Sequence, residues 1–435
     1  MHPRRGQHRR FTAVLALLAA SAGCHAPIHR GPTGRERLQP PVRAVWVTRT
    51  QYRSPADVAR VMENCRQAGF NHVVFQVRGN GTVFYPSRLE PWAEQFDFQS
   101  PGFDPLAVAC QEAHARGLLL HAWVNVMPAW RGTRPPSHPD QLYNKRPEWF
   151  WYDQHGRRQA LSSFYVSLNP CLPEVRAYLV EVFRELITGH DVDGLHMDYI
   201  RFPNEPPAIP EGSGLDYPRD AKTLALYRAA TGKAPDDDPA EWNRWRTQQV
   251  TELVRAIRAM TRRVRPTLML TASLGTNPAG SLRHFRDDLA WAREGLLDGA
   301  FPMNYKPDRE QFVEGLRCWL PLRDRVQVIP GLWFAPRLPT QEGIEVVRQQ
   351  IQAAVESTGN FCLFSYSSLF GGDDEGGLTA SPAATRPAGS RRGAGRDPRP
   401  QRRADLIPFI RSLAAAEFIL EARYVNNRLS KYVYR

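Results

Sequence analysis

Residues 192–203 have the sequence Val-Asp-Gly-Leu-His-Met-Asp-Tyr-Ile-Arg-Phe-Pro, a short apolar strand that leads into a polar and aromatic loop. Side chains alternate between the two faces of a strand, so Gly194, His196 and Asp198 share one face and Asp193 lies on the other. In a parallel barrel, the carboxyl ends of the strands carry the chemistry. We therefore expect Asp198 to point inward at that end, whereas Asp193, at the opposite end, has a structural role.

The apolar runs along the chain predict eight such strands. They alternate with helical segments and lack hairpin turn signals between them, which is typical of parallel βα units. No Gly-x-Gly-x-x-Gly turn follows the first strand, and this disfavours a dinucleotide-binding fold. The sequence therefore predicts an α/β protein, a (β/α)8 TIM-type barrel with long βα loops. Besides the opening stretch, the predicted strands lie at 44–47, 72–78, 118–125, 268–273, 299–305, 326–333 and 361–366.

The 435 residues divide into five predicted segments. The barrel occupies 42–370, after a signal peptide at 1–24 and a linker at 25–41. Residues 371–403 are rich in Gly, Ala, Pro and Arg, which predicts a disordered linker. In the C-terminal helical segment at 404–435, residues 404–423 regain helical periodicity, and this helix either packs back on the barrel or docks a partner.

The N-terminus has the pattern of an export signal. Basic residues up to Arg10 precede an apolar run at 11–20, which is shorter than the ~20 residues that span a bilayer. Small residues that end at Cys24 are typical of a bacterial lipoprotein signal, which predicts lipidation of Cys24, a membrane anchor, and a place in the periplasm or cell envelope. Plain cleavage and a twin-arginine route through Arg9 and Arg10 are the alternatives.

Charge and cysteine content argue against a nucleic-acid-binding protein and against a CxxC metal protein. The net charge is +13 and the isoelectric point about 9.7, but the arginines concentrate near the N-terminus and at 386–403, without interleaved aromatic residues. No nucleic-acid reading module accompanies them, so we expect no specific nucleic-acid partner. Beyond Cys24, the five cysteines have no CxxC spacing, which favours buried thiols, with a Cys65–Cys110 pair as the alternative. No cofactor is predicted.

Polar and aromatic residues gather where the predicted strands end. One such residue is explained by the polarity of loops, but six strand ends together favour a binding site at the barrel mouth. Indole rings stack well on sugars, and amide, guanidinium and imidazole groups bind hydroxyls. We therefore predict a glycan site. The predicted substrate-binding residues are Trp46, Gln76, Arg78, His121, Trp123, Asn125, Tyr199, Arg201, Asn304, Tyr305, Trp333 and Tyr366.

Asp198 is the predicted catalytic carboxyl. Glycosidic cleavage usually needs two carboxyl groups, one acid and one base or nucleophile. His196, one layer deeper, is predicted to orient or tune Asp198, and a hydrogen-bonded core histidine is the equal alternative. The second carboxyl is open, unless an N-acetyl sugar supplies the nucleophile itself. The candidates for it are Glu90, Glu211, Asp216, Asp308, Asp373, Asp374 and Glu375.

Several segments together resemble the bacterial glycosyl-hydrolase-like 10 family, formerly the DUF187 group. The matching pieces are Arg43-Ala44-Val45-Trp46-Val47, Phe75-Gln76-Val77-Arg78, Tyr85-Pro86-Ser87, Glu90-Pro91-Trp92, His121-Ala122-Trp123-Val124-Asn125, Leu168-Asn169-Pro170, the opening stretch and Pro302-Met303-Asn304-Tyr305. This resemblance implies an exported or lipid-anchored (β/α)8 barrel that cleaves glycan strands of peptidoglycan.

Three functional hypotheses follow. The first is an exported glycoside hydrolase acting on peptidoglycan or another N-acetylated glycan through Asp198. The second is a non-catalytic glycan-binding lipoprotein on the same barrel, favoured by the missing second carboxyl. The third, a metal-dependent hydrolase, lacks clustered His and Asp residues at the strand ends, and no metal site is predicted.

Overall fold

Parallel strands dominate the structure, a computed structural model that describes residues 41–202, 209–210, 212–333, 340–371 and 406–414. In chain order the strands are β1 (Arg43–Val47), β2 (His72–Arg78), β3 (Leu119–Asn125), β4 (Pro128–Gly132), β5 (Ser162–Ser167), β6 (Gly194–Asp198), β7 (Met269–Leu274), β8 (Gly299–Pro302), β9 (Gln327–Val328), β10 (Gly331–Trp333) and β11 (Phe361–Phe364).

The main sheet closes on itself. Its order is β10-β11-β1-β2-β3-β6-β7-β8-β9, and its pairings are parallel. The two ends of this order, β10 and β9, are parts of one predicted strand, divided at Pro330, which has no N–H to give to the ladder. β9 pairs with β8, β10 pairs with β11, and a parallel bridge between Met303 and Gly331 joins the two sides. The predicted (β/α)8 barrel is confirmed.

Helices follow the strands, and most of them start at a residue whose side chain caps the helix. Ser54 and Asp57 form a capping box around Pro55, and the Asp104 carboxylate accepts two backbone N–H groups at the start of the next helix. The helices are α1 (Pro55–Gln67), α2 (Pro105–His114), α3 (Leu142–Lys145), α4 (Pro173–Gly189), α5 (Ala221–Thr231), α6 (Pro239–Val264), α7 (Pro278–Arg283), α8 (Asp288–Arg293), α9 (Arg309–Leu316), α10 (Gln341–Thr358) and α11 (Tyr366–Phe370).

Two apolar cores result from the alternation of strand side chains. One face of the strands packs against the surrounding helices in a large outer core. The other face fills the barrel, so the interior is solid below the mouth. The inner core consists of Val42, Ala44, Trp46, Val74, Trp123, Phe301, Ile329 and Cys362, with Phe364 packed against it.

Two segments outside the barrel pack against it. The predicted insertion at 126–168 contains an antiparallel pair, β4 with β5, beside the barrel mouth. The helix at 406–414 packs on α1, since Leu406 and Ile410 are fully buried and Arg411 Nε donates to the Gln67 carbonyl. Within the predicted segment at 404–435, the described residues 406–414 thus pack on a helix of the barrel.

Several predicted segments lie outside the described residues. They are the signal peptide with Cys24, nearly all of the linker at 25–41, the linker at 371–403 except for Gly371, and much of 404–435. None of the described helices combines the length and apolar character that a bilayer crossing requires. The five described cysteines are free thiols, so Cys65 and Cys110 are not paired.

Candidate functional site

Asp198 ends β6 at the mouth of the barrel. It lies beside Asn125 in the register between β3 and β6, and it is half-buried. The next residue, Tyr199, has a φ of 48°, a left-handed conformation that non-glycine residues rarely adopt. Its backbone N–H donates to Asp198 Oδ1 at 2.7 Å. The chain therefore turns sharply after the carboxyl and holds it at the strand end, as is common at functional sites.

The surroundings of Asp198 favour its protonated form. Burial raises the pKa of its carboxyl, and the Tyr199 N–H together with the cations of Arg201 and Arg286 offset this only in part. Burial also raises the pKa of Tyr305, and the nearby Asp198 carboxyl adds to that rise. A carboxyl with a raised pKa at the mouth of a barrel is suited to donate a proton.

Aromatic rings stand on two sides of this carboxyl. On the β8–β10–β11 side, the Tyr305 ring centroid lies 6.0 Å from that of Trp333 and 6.2 Å from that of Phe364. On the other side, the Tyr199 ring lies 5.1 Å from that of Tyr165, which comes from β5. Tyr199, Arg201, Tyr305 and Trp333 therefore lie at the mouth.

Arg201 and Asn125 complete the mouth. The Arg201 guanidinium lies 5.3 Å from the Tyr199 ring centroid, and its Nη1 lies 3.5 Å from His284 Nδ1. The Asn125 side chain is fully buried: its Oδ1 accepts from the Trp123 indole N–H at 3.1 Å, and its Nδ2 donates to the Gly79 carbonyl at 3.1 Å. Asn125 is thus oriented by protein groups, next to Asp198.

His196 lies one layer below Asp198 and is held by hydrogen bonds on both ring nitrogens. Nε2 accepts from the Trp46 indole N–H at 3.2 Å and lies 2.9 Å from Ser273 Oγ, while Nδ1 lies 2.9 Å from Thr271 Oγ1. Since an indole N–H only donates, the proton of the neutral ring is on Nδ1. Burial holds the pKa of His196 well below its usual range. The position fits the core alternative for this residue, and its catalytic role stays a prediction.

His121 lies near the opposite end of the barrel, which corrects its prediction as a sugar ligand. It pairs in register with Gly194, the first residue of β6, and its Nε2 lies 3.0 Å from His72 Nδ1. A Cβ on Gly194 would lie 2.3 Å from His121 Nδ1, so the glycine makes room for the imidazole. The alternation of side chains along β3 predicted the correct face for His121, but the residue lies four positions before the end of the strand.

Arg78 points away from the barrel interior, so its predicted place beside Gln76 is wrong. The register between β2 and β3 shifts between Gln76 and Arg78, and this bulge reverses the alternation. Arg78 is fully buried instead against Glu90, with Nε–Oε2 and Nη2–Oε1 distances of 2.7 and 2.6 Å. Its Nη1 donates to the Asn125 carbonyl. The pair clamps the loops after β2 and β3 together.

The remaining predicted ligands are engaged within the protein. Trp46 and Trp123 belong to the inner core, and Gln76 Oε1 accepts from the Arg49 backbone N–H at 3.1 Å. These three side chains are less than 5% exposed and support the mouth from below. They do not form its surface.

Asn304 and Tyr366 are also corrected. Asn304 faces α9, where its Nδ2 donates to the Phe312 carbonyl at 2.7 Å. It neighbours Tyr305, and adjacent strand-end residues cannot face the same side. Tyr366 is buried against α1, with its hydroxyl accepting from Asn64 Nδ2 at 2.7 Å.

The described candidates for a second carboxyl are committed to other contacts. Glu90 pairs with Arg78, and Asp216 pairs with Arg219 and Arg246 at 2.6 Å each. Asp308 caps α9 by accepting from a backbone N–H. The other four candidates, Glu211, Asp373, Asp374 and Glu375, lie outside the described residues.

The sequence reasoning missed Arg286 and Asp288. They lie in the segment after β7, where they form a buried ion pair with an Nε–Oδ1 distance of 2.5 Å. The alternation of side chains along a strand predicts neither position, because both residues lie in the segment between a strand and a helix. The only sequence signal is a charged triplet, Arg286-Asp287-Asp288, in front of a short apolar helix.

Two further features bear on the chemistry. Among the described residues, no group of three or more His, Cys, Asp or Glu side chains is arranged to hold a metal ion. A cleft of about 1250 Å³ lies outside the mouth, along α6 and the α7–α8 segment, and includes His284. Its lining arginines and carboxylates are largely paired with one another.

Comparison with known proteins agrees with this geometry. Residues 41–319 match the family profile of glycosyl hydrolase-like 10. The chain is 26% identical over 319 residues to glycosyl hydrolase DigH of Escherichia coli K12, covering 63% of this chain and 68% of DigH. It is also 26% identical over 265 residues to glycosyl hydrolase YngK of Bacillus subtilis 168, covering 57% of this chain and 48% of YngK.

Solved structures show the same fold at low identity. The glycoside hydrolase domain of PgaB (BpsB) from Bordetella bronchiseptica superposes with a TM-score of 0.54 at 17% identity, covering 75% of this chain and 94% of that domain. The catalytic domain of β-amylase from Paenibacillus polymyxa gives 0.51 at 11% identity, with coverages of 75% and 93%. The chain belongs to the glycosyl hydrolase-like 10 family, and its function is of the glycosidase type.

Proposed function

We propose that this protein hydrolyses glycosidic bonds in an N-acetylated glycan of the bacterial cell wall, of the peptidoglycan type, with Asp198 as its main catalytic carboxyl. The observation that carries the proposal is the position of Asp198 at the carboxyl end of β6, half-buried and flanked by aromatic rings. The family relationship supports the reaction class, and the residues of the mouth support the role of this side chain.

The raised pKa of Asp198 supports the part of a general acid. A general acid must hold its proton near neutral pH and give it to the glycosidic oxygen as the bond to C1 breaks. Burial acts in that direction, while Arg201 and Arg286 oppose it, so the carboxyl can also return to its ionised form. The same group then takes a proton from the water that completes hydrolysis.

An N-acetyl group on the substrate supplies the nucleophile in this mechanism. The carbonyl oxygen of the 2-acetamido group bonds to C1 while the leaving oxygen takes the proton from Asp198. Water then opens the resulting cyclic intermediate, with net retention at C1. The described alternatives for a second carboxyl support this reading, since Glu90, Asp216 and Asp308 are engaged in ion pairs or a helix cap.

The mouth offers the contacts that a sugar chain requires. Tyr305 and Trp333 on one side, and Tyr199 on the other, present rings of the kind that stack on sugar faces. Arg201 brings a guanidinium to the same rim, where it can donate to hydroxyl or carbonyl oxygens. We infer that these four residues contact the glycan on either side of the cleaved bond.

Asp198→Asn tests the proposal. Purified peptidoglycan, peptide-free glycan strands and an N-acetylglucosamine oligomer are digested with the wild type and the variant, and the products are identified by mass spectrometry. We expect the wild type to cleave at least one of them and Asp198→Asn to lose at least 10³-fold in rate, with unchanged melting temperature. The matched control is Asp191→Asn, since Asp191 is exposed at the other end of the barrel. Unchanged turnover in Asp198→Asn would remove Asp198 from the reaction.

A non-catalytic glycan-binding role is the second candidate. It is favoured by one observation, the engagement of the described acidic candidates in other contacts. Binding of peptide-free glycan strands by the wild type, without any product after prolonged incubation, would support it. In that case Asp198→Asn would leave the affinity for the glycan nearly unchanged.

We also propose that the protein is exported and anchored through a lipid on Cys24. The support is the sequence pattern alone, a basic stretch, an apolar run and small residues before the cysteine. Metabolic labelling with a radioactive fatty acid tests this. The wild type should be labelled and recovered with the membrane fraction, and Cys24→Ser should be unlabelled.

A further inference from the structure

Arg286, one of the two cations that act on Asp198, forms a buried ion pair with Asp288. Each side chain is about 3% exposed, and the Arg286 Nε–Asp288 Oδ1 distance is 2.5 Å. We propose that this pair positions the Asp198 carboxyl and sets the positive field that acts on it. The inference rests on the proposed role of Asp198, but its principal test does not require activity.

The pair is fixed by the backbone of the β7–α8 segment. Asp288 Oδ2 accepts from the Gly275 N–H and from Ser281 Oγ, at 2.7 Å each. A Cβ on Gly275 would lie 2.5 Å from Ser281 Oγ and 3.3 Å from Asp288 Oδ2, so only glycine allows this approach. Asp288 is therefore a rigid anchor, and Arg286 extends from it.

The guanidinium of Arg286 reaches the neighbour of the Asp198 strand. Arg286 Nη1 donates to the Ser273 carbonyl, on β7, at 3.3 Å. Ser273 Oγ in turn lies 2.9 Å from His196 Nε2, and His196 is two residues before Asp198 on the same face of β6. Because β6 and β7 are adjacent, Arg286 lies over the edge of the barrel from which Asp198 projects.

The charged and titratable groups around Asp198 come from several elements. Arg201 follows it on its own loop, Arg286 comes from the segment after β7, and Tyr305 follows β8. Burial lowers the pKa of Arg286, Asp288 and Asp198 act against this, and Arg201 adds to it. His284 contacts Arg201, and Cys318 lies near Asp288.

This arrangement gives the two partners opposite effects on Asp198. Arg286 lowers the pKa of the Asp198 carboxyl. Asp288 is paired with that guanidinium, so we expect its negative charge to offset part of the effect. Loss of the cation should therefore raise the titration midpoint of Asp198, and loss of the anion should lower it. A purely structural pair would not produce opposite signs, since both losses would weaken the same contacts.

The test measures the titration of Asp198 in the intact chain. Protein with ¹³C-labelled aspartate carboxyls is titrated by NMR, and the Asp198 signal is assigned by its absence from Asp198→Asn. We expect Arg286→Gln to move the midpoint to higher pH and Asp288→Asn to move it to lower pH, by about one unit each, the usual effect of one neighbouring charge. The double variant should lie between them.

The experiment needs control variants because the loss of one partner of a buried ion pair can unfold a protein. Arg286→Lys keeps the charge and should leave the Asp198 midpoint in place, so a shift seen in Arg286→Gln and not in Arg286→Lys comes from the charge. The double variant Arg286→Gln/Asp288→Asn removes both charges and shows whether the unpaired charge causes any loss of stability in the single variants. The matched control is the ion pair of Arg258 and Asp298, which lies near the amino end of β7 with Nη–Oδ distances of 2.5 and 2.7 Å. Arg258→Gln and Asp298→Asn should leave the Asp198 midpoint in place.

The pH dependence of kcat/KM on an accepted glycan provides the kinetic readout. The limb that Asp198 governs should move with its NMR midpoint, upward in Arg286→Gln and downward in Asp288→Asn. Shifts of the NMR midpoint without any glycan cleavage would support the inference and reject the proposed function. Glycan cleavage with an unmoved midpoint in folded variants, or with shifts of the same sign, would reject the inference alone.

Discussion

The histidines inside the barrel make the fold sensitive to acid. Burial lowers the pKa of His121 to about 4, and burial holds those of His72 and His196 well below their usual range. Between pH 6.5 and pH 4 the unfolded chain binds a proton at residue 121, and the folded chain does not. The free energy of unfolding therefore falls as the pH is lowered through this window, and it is unaffected by this group above it.

His121 alone accounts for about 2 kcal/mol of that loss between pH 7 and pH 5. Its pKa is 6.5 in the unfolded chain and about 4 in the folded protein. Each unit of difference corresponds to about 1.4 kcal/mol, and slightly more than half of the full effect develops between pH 7 and pH 5. The fully buried position of the ring explains why the folded protein resists protonation, and Asp193 offsets this only in part.

Urea unfolding of the wild type and of His121→Gln at pH 7 and pH 5 measures this contribution. We expect the wild type to lose more stability than the variant over that interval, by about 2 kcal/mol. His155→Gln serves as the control, because His155 is exposed and should leave the pH dependence unchanged. If His121→Gln loses as much stability as the wild type between the two pH values, the buried neutral state of His121 is refuted.

Three substitutions test other parts of the structure. Arg78→Met leaves a buried carboxylate without its partner and should lower the free energy of unfolding by about 3–5 kcal/mol in urea; a loss below about 1 kcal/mol would contradict the clamp. Gly194→Ala forces a methyl group to within 2.3 Å of the His121 ring and should lower the melting temperature, whereas Gly189→Ala, with open space around it, should not. Trp333→Ala should raise KM for a glycan oligomer several-fold at unchanged melting temperature, and an unchanged KM would exclude stacking at this position.

The alternation of side chains along the apolar strands predicted the barrel and the position of Asp198, because this alternation is a local property of the sequence. It failed at Arg78, where a bulge inserts one residue into the register of β2, and a bulge has no reliable signature in the residues themselves. It also grouped Asn304 with Tyr305, although neighbours on a strand face opposite sides.

The sequence pattern also does not predict how deep a side chain lies within the barrel. His121 and Asn125 share a face of β3, but only Asn125 lies beside Asp198. The Arg286–Asp288 pair depends on how the segment after β7 folds back, which tertiary contacts with Gly275 and Ser281 determine. Such contacts join residues that are brought together by the fold, and the periodicity of the sequence does not predict them.

The hydrogen bonds around His196 have a consequence for enzyme kinetics. Trp46 donates to one ring nitrogen of His196, and Thr271 lies beside the other. His196, below Asp198, therefore keeps a single neutral tautomer at physiological pH. An inflection in the rate near pH 6.5, which is usually attributed to a histidine, therefore belongs to a different group in this protein. The pH–rate profile thus reports the titration of groups at the mouth of the barrel and not that of His196 below them.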